Sequence, residues 1–146
     1  RRPRQAREPG AVEARGDRSV TRWDAERIGR DLPGVRLVLM VRDPVERAYS
    51  AYKHEFARGF ETETFERALE LEPERLEGEV ERMVAAPSYI SFGHRHHAYV
   101  TRGQYAEQVE RLQGAVGADN VYVMDADDFF ADPVTQVAGL FDWLGL

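Results

Sequence analysis

At 146 residues the chain is long enough to bury a real core and short enough that one domain is the default. It is 42% apolar and 32% charged, has no apolar run near the ~20 residues of a membrane helix and opens on no signal-peptide pattern, so it reads as a cytoplasmic globular protein with no membrane association. A net charge of −6 argues against nucleic-acid partners, and the lack of cysteine rules out disulfides and thiolate-based metal or redox sites.

Residues 1–18 carry six arginines against Glu8, Glu13 and Asp17, with Pro3, Pro9, Gly10 and Gly16 and nothing apolar larger than Val12. That composition predicts a flexible basic arm over 1–20 and a domain over 21–146. Trp23 to Leu32 suits a short helix with Thr21 as its cap, ended by Pro33-Gly34. Val35 to Val41 is apolar apart from Arg36 and rich in β-branched residues, as in a parallel strand buried on both faces. Asp43 then offers an N-cap, Pro44 fits the first helical position and Glu46 can close a capping box, so a helix runs to about Arg58 with Gly59 ending it.

Thr62 or Thr64 starts another helix, with Phe65, Ala68 and Leu69 inward, and Pro73 and Gly78 interrupt the acidic stretch 70–86. Val80, Met83 and Val84 make a short amphipathic turn closed by Pro87, and a loop rich in aromatics and histidines follows. Tyr105, Val109, Leu112 and Val116 trace a helical stripe from Gly103, and Asn120 to Met124 reads as a second buried strand. Asp132 and Pro133 open a last helix whose buried face is Val134, Val137, Leu140, Phe141 and Leu144. Strands alternating with helices make the fold class α/β, a parallel sheet flanked by helices. Val38, Met40, Tyr49, Val109, Leu140 and Leu144 are expected in its core.

The candidate site is the junction at Arg42. Open α/β sheets bind ligands outside the carboxyl ends of their strands, and a helix N-terminus there favours an anion. Arg42 adds a guanidinium that can grip a phosphate with two hydrogen bonds, and Ser50, Arg47 and His54 fall on the same side of the helix as the cap. An ordinary capped strand–helix junction with Arg42 paired to a carboxylate is the plain alternative. His94, His96 and His97 lack the spacing of a metal site, so no metal is expected and the histidine-rich loop reads instead as one beside an anion or acceptor site, while Asp125, Asp127 and Asp128 read as caps or solvated acids. Tyr105 reads as core, and Arg102 as the better candidate of the two for touching an acidic donor or sulfated product.

L-V-L-M-V-R-D-P-V-E-R-A-Y-S-A-Y (37–52) resembles the 3′-phosphate-binding segment of sulfotransferases that use 3′-phosphoadenosine 5′-phosphosulfate (PAPS), closest to the bacterial and heparan-sulfate-type branch. T-F-E-R-A-L (64–69), R-G-Q-Y-A-E-Q-V-E-R-L (102–112), V-Y-V-M (121–124), D-D-F-F-A-D-P (127–133) and F-D-W-L-G-L (141–146) follow in the family's order, over roughly residues 27 to 146. The resemblance implies a P-loop-like sulfotransferase domain that moves a sulfuryl group from PAPS to a hydroxyl or amine acceptor, a carbohydrate, small molecule or peptide. It implies that Arg42 and Ser50 bind the donor's 3′-phosphate, and it assigns no catalytic residue here.

The family's glycine-rich loop with its lysine, which holds the 5′-phosphosulfate, has no counterpart, and the one lysine, Lys53, lies in the helix after the motif. The expectation is therefore a partial domain, inactive alone and carrying the 3′-phosphate half of the site, either cut from a larger protein or a degenerate relative. Two other readings stay open. One is a non-catalytic relic that binds a 3′-phosphorylated nucleotide or serves as an interaction module. The other is a nucleotide kinase-like phosphotransferase, which the missing Walker lysine disfavours.

Overall fold

The structure is a computed structural model that describes residues 22–86 and 88–146, with side chains from Ala25 onward. The basic arm over 1–20, the Thr21 cap and Pro87 lie outside the described residues. In chain order the elements are α1 (Arg22–Asp31), β1 (Leu37–Val41), α2 (Pro44–Ala57), α3 (Phe65–Leu76), α4 (Glu79–Ala85), α5 (Phe92–His96), α6 (Tyr105–Val116), β2 (Val121–Asp125), α7 (Ala126–Ala131) and α8 (Pro133–Leu144), with 3-10 turns at Thr101–Gly103 and Ala118–Asn120. The class is α/β, helix-rich around a small parallel sheet in which β1 pairs with β2, Leu37 opposite Val121 through Val41 opposite Asp125.

Residues paired across parallel strands share a face, so Leu37, Leu39 and Val121 lie together. They pack with Ala25 and Ile28 of α1 and Leu112, Ala115 and Val116 of α6. Gly29 lets α1 approach closely, because a Cβ there would collide with the carbonyl oxygen of Ala115. The opposite face carries Val38, Met40, Tyr122 and Met124. There α8 covers β2, with the Trp143 and Tyr122 rings 5.2 Å apart.

The expectation that β1 is buried on both faces is corrected: Val38 and Met40 are 46% and 52% exposed, because among the described residues α8 sits over β2 and leaves that side of β1 open. Tyr49 is also exposed rather than core. Its ring lies at the rim of a second core, against Phe65 at 5.1 Å and under the Lys53 ammonium at 4.8 Å. That core is Ala48, Ala68 and Tyr99, with Ala51, Tyr52, Phe65 and Leu69 around it. Val109, Leu140 and Leu144 are half-buried.

Local signals explain most boundaries. The Asp43 carboxylate accepts from the amides of Val45 and Glu46 at 2.9 and 2.8 Å, and Pro44 is the first residue of α2. The capping box is only half made, since the Glu46 carboxylate turns to Arg42 at 3.1 Å instead of back to the cap. Gly59 follows α2 at φ 76°, a left-handed conformation that glycine adopts at no steric cost. Thr64, Asp125 and Asp132 cap α3, α7 and α8.

Two readings fail locally. Pro73 does not interrupt α3, because on either side of it Glu72 and Arg75 are anchored to other segments and hold the helix through the missing amide. The histidine-rich stretch is not simply loop. Ser91 caps the short helix α5, and Gly93 packs against α3, where a Cβ would lie 2.5 Å from the Arg75 carbonyl oxygen.

Candidate functional site

Arg42 leaves the carboxyl end of β1 as Asp43 caps α2, so a cation meets a helix N-terminus. Beyond the junction, Arg47, Ser50, Ala51, His54, Glu55 and Arg58 follow at alternating intervals of three residues and one along one side of α2 and its C-cap, and line a groove of about 590 Å³. Arg95 and His96 of α5 and Arg102 of the following turn also line it. Arg42 and Ser50, the two residues singled out from the sequence, thus open onto one cavity together with Arg47 and His54. Arg102 joins them from sixty residues further along the chain.

Five arginines and one glutamate line this groove in a chain whose net charge is −6. Arg42 is paired with Glu46 on the solvent side, as the plain reading of the junction allowed, yet still lines the cavity. Arg47 is deeper. One of its terminal nitrogens donates to the Tyr99 carbonyl oxygen, and its buried Nε–H has no hydrogen-bond partner. Burial pushes the Arg47 guanidinium below the usual arginine range, and the like charges of Arg102 and Arg42 act the same way against Tyr105 and Glu72. A buried cation crowded by two others is at a disadvantage that a bound anion relieves.

The wall opposite α2 is fastened by buried carboxylates. Glu72 of α3 is 3% exposed and accepts from the amides of Tyr99, Val100 and Thr101 at 2.9, 2.6 and 2.8 Å and from the Thr101 hydroxyl at 2.6 Å. This sets the turn that carries Arg102, whose guanidinium donates to the His94 carbonyl oxygen at 2.5 Å. Glu61, fully buried, takes Arg75 at 2.6 Å and the Tyr99 hydroxyl at 3.1 Å. Burial raises the Glu61 carboxyl, but Arg75, the amides of Glu63 and Thr62 and the Tyr99 hydroxyl outweigh it and hold it at about 2.

The three clustered histidines part company. His96 lines the groove, with Nδ1 2.7 Å from the Glu55 carboxylate. His97 turns away, its Nε2 3.0 Å from the Phe60 carbonyl oxygen. His94 is buried with neither ring nitrogen partnered, and burial followed by the charge of Arg102 pushes it below its usual range. Among the described residues no cluster of histidines and acids is arranged to hold a metal ion. Nor is any described helix long and apolar enough to cross a membrane.

Sequence reasoning missed Arg58 and Arg95, and although it read the histidine-rich loop as standing beside an anion or acceptor site, it did not pair His96 with Glu55. For Arg58 a signal existed: it continues the Arg47, Ser50, His54 series along α2. Arg95 and His96 reach the groove only through the packing of α5, which has no local signature.

A solved sulfotransferase from Alicyclobacillus acidocaldarius is similar to the chain, at 30% identity and a TM-score of 0.63. The likeness covers 88% of this chain and 47% of that one, so the chain spans about half of that structure's length. No curated protein matches. The family model described as "Sulfotransferase domain" matches residues 32–146, which include β1, the Arg42 junction and every residue lining the groove, and the chain therefore belongs to the sulfotransferase domain family.

Proposed function

We propose that the groove holds the 3′-phosphate end of PAPS, with Arg42, Arg47 and Ser50 as its ligands, and that the whole protein transfers the sulfuryl group of PAPS to a hydroxyl or amine acceptor. The observation that carries this reading is the convergence of the Arg42 and Arg47 guanidinium groups and the Ser50 hydroxyl on one groove. Two guanidinium groups and a hydroxyl suit a phosphate dianion better than any neutral group. In the reaction the acceptor oxygen or nitrogen bonds to sulfur, the bond from sulfur to the bridging oxygen of the 5′-phosphate breaks, and the acceptor proton goes to a base. The residues proposed here act at the other end of the donor. They bind and orient it about equally in ground and transition states, so they set affinity more than the rate of the chemical step.

Calorimetric titration with adenosine 3′,5′-bisphosphate and adenosine 5′-phosphate tests the reading. A hydrogen bond to a charged group contributes roughly 1.5–3 kcal/mol. Arg42→Ala then weakens bisphosphate binding about ten- to a hundredfold and Ser50→Ala less, with the 5′-phosphate little affected. Equal affinity of the unaltered chain for the two nucleotides refutes the assignment.

A further inference from the structure

His94 stands next to the groove-lining residues Arg95 and His96 without lining the groove itself. It is 6% exposed, and both of its ring nitrogens are buried with no hydrogen-bond partner. A neutral imidazole carries one N–H donor and one acceptor, so this ring is held inside with neither satisfied. Its backbone is engaged instead: the His94 carbonyl oxygen accepts from the Arg102 guanidinium, which does line the groove.

The charged groups around the ring leave no acceptor for a second proton. Arg102 faces it from the turn after α5, and the acids nearby are Glu79 of α4 and Glu72 of α3. Glu79 already takes Arg82 and the Tyr89 hydroxyl, each at 2.8 Å, and Glu72 takes the amides of 99–101 and the Thr101 hydroxyl. Arg75, whose carbonyl oxygen packs on Gly93, turns its guanidinium to Glu61. On α5 itself and its cap, Arg95 and His96 line the groove and His97 is held by the Phe60 carbonyl oxygen. A protonated His94 is therefore a buried cation beside Arg102 with two N–H groups and nothing to receive them, and burial and Arg102 both hold the proton off. The relief is local. α5 is little more than one turn, Phe92–His96, so the ring reaches water by opening that turn without unfolding the domain. Opening also takes the His94 carbonyl away from Arg102.

We propose that His94 is an acid-operated latch on the groove: neutral, it keeps α5 closed and Arg102 set in the lining; protonated, it leaves the interior, opens α5 and lowers the groove's affinity for anions. The inference rests on the anion-binding function proposed above. Because the proton is taken by the open form, each pH unit below the ordinary histidine value of 6.5 favours opening about tenfold.

Amide hydrogen exchange, followed by NMR at pH 6.5 and 5.5 and corrected for intrinsic rates, reads the opening with no ligand present. The reporters are the amides of His94, Arg95 and His97, which bond to the Ser91 hydroxyl, the Ser91 carbonyl and the Gly93 carbonyl. Their open fraction rises several-fold over that interval, low urea does not accelerate it, and the rise is absent in His94→Phe and His94→Leu. Calorimetry of adenosine 3′,5′-bisphosphate at the same two pH values gives an affinity that falls by a larger factor in the unaltered chain than in either variant. Titration of the ligand's phosphates and of His54 is common to all three chains and cancels. An opening that does not respond to pH, or responds equally in the variants, overturns the latch. So does a His94 ring whose NMR signal titrates near 6.5 while those amides stay protected, which needs no variant. An equal affinity ratio in all three chains overturns the link to the groove. The proposed function fails separately, by an absent preference for the 3′,5′-bisphosphate over adenosine 5′-phosphate at pH 6.5.

Discussion

Glu72→Gln removes one charge and no volume from the knot behind the groove. The glutamate carboxylate accepts four hydrogen bonds, two on each oxygen: Tyr99 and Val100 amides on one, the Thr101 amide and hydroxyl on the other. Glutamine keeps one oxygen: its amide nitrogen placed toward Tyr99 and Val100 faces two N–H groups, donor against donor, whereas placed toward Thr101 it faces one N–H and a hydroxyl that can turn to accept from it. The better orientation leaves the Thr101 amide without its acceptor and turns the Tyr99 and Val100 bonds into neutral ones, so one bond to a charged acceptor is lost outright and the total is about 2–4 kcal/mol. That is a large fraction of the ~5–15 kcal/mol stability of an ordinary domain. The assay is urea unfolding followed by tryptophan fluorescence, with the change taken from the midpoint at constant slope. Glu70→Gln is the control, because its ion pair with Arg67 is solvent-exposed and contributes little. Because the Tyr99 carbonyl holds Arg47, the folded fraction of the Glu72 variant also binds adenosine 3′,5′-bisphosphate more weakly. A loss below ~1 kcal/mol with unchanged slope would mean that the turn is held by something other than this carboxylate.

Further outcomes follow from the same groups. Glu61 sits at about 2 against an ordinary 4.5, so its contribution is complete above about pH 4.5 and is lost as the pH falls toward 2. That contribution is about 3 kcal/mol, and Glu61→Gln flattens the acid limb of a stability-versus-pH curve; an unchanged limb contradicts it. His94 is pushed below 6.5, so the unfolded chain takes its proton first and stability declines as the pH drops below that value. His94→Leu lessens the decline, read from urea midpoints at pH 7 and 5.5. In a sulfate-transfer assay with labelled PAPS, the 146-residue chain turns over at least about a hundredfold more slowly than a protein extended to include a glycine-rich lysine loop, since loss of one preorganised donor at the leaving group already costs ~10²–10³; rates within tenfold contradict the placement of the machinery.

The junction was legible because every element of it is local. Alternating strand and helix patterns, Asp43-Pro44 and the spacing of Arg47, Ser50 and His54 all lie within one strand–helix unit, and the structure brings those side chains to one groove. The burial of β1 was read too generously. An apolar run such as Leu37–Val41 states that both faces tolerate burial, not that both are covered, and coverage depends on where α8 packs. Buried acids were missed for the opposite reason, since charged residues in an acidic stretch look like a solvated face. Glu72 did carry a signal: it lies four residues after Ala68 and three after Leu69, on the apolar stripe of α3. A carboxylate in that position is either a packing fault or an anchor.

The distribution of charge then has a physical logic. Glu55, Glu61, Glu72 and Glu79 are each 8% exposed or less, and they take partners from the stretch between Arg75 and Thr101: Arg75, Arg82, Tyr89, His96 and the amides of 99–101. Beyond the end of α3 that stretch carries only the short helices α4 and α5, so the donors between and after them need acceptors that regular structure does not supply. Carboxylates projecting from α2, α3, α4 and the segment after α2 supply them, and a charged acceptor makes stronger bonds than a neutral one. The same acids offset the repulsion among the arginines they help to place, as Glu72 does for Arg47. Apolar residues at those positions would fill space equally well but would leave the 99–101 amides orphaned and Arg102 without a fixed turn. An acidic protein with a basic groove is the consequence of setting arginines on carboxylate supports, Glu72 and Glu61 behind the groove and Glu55 in its lining.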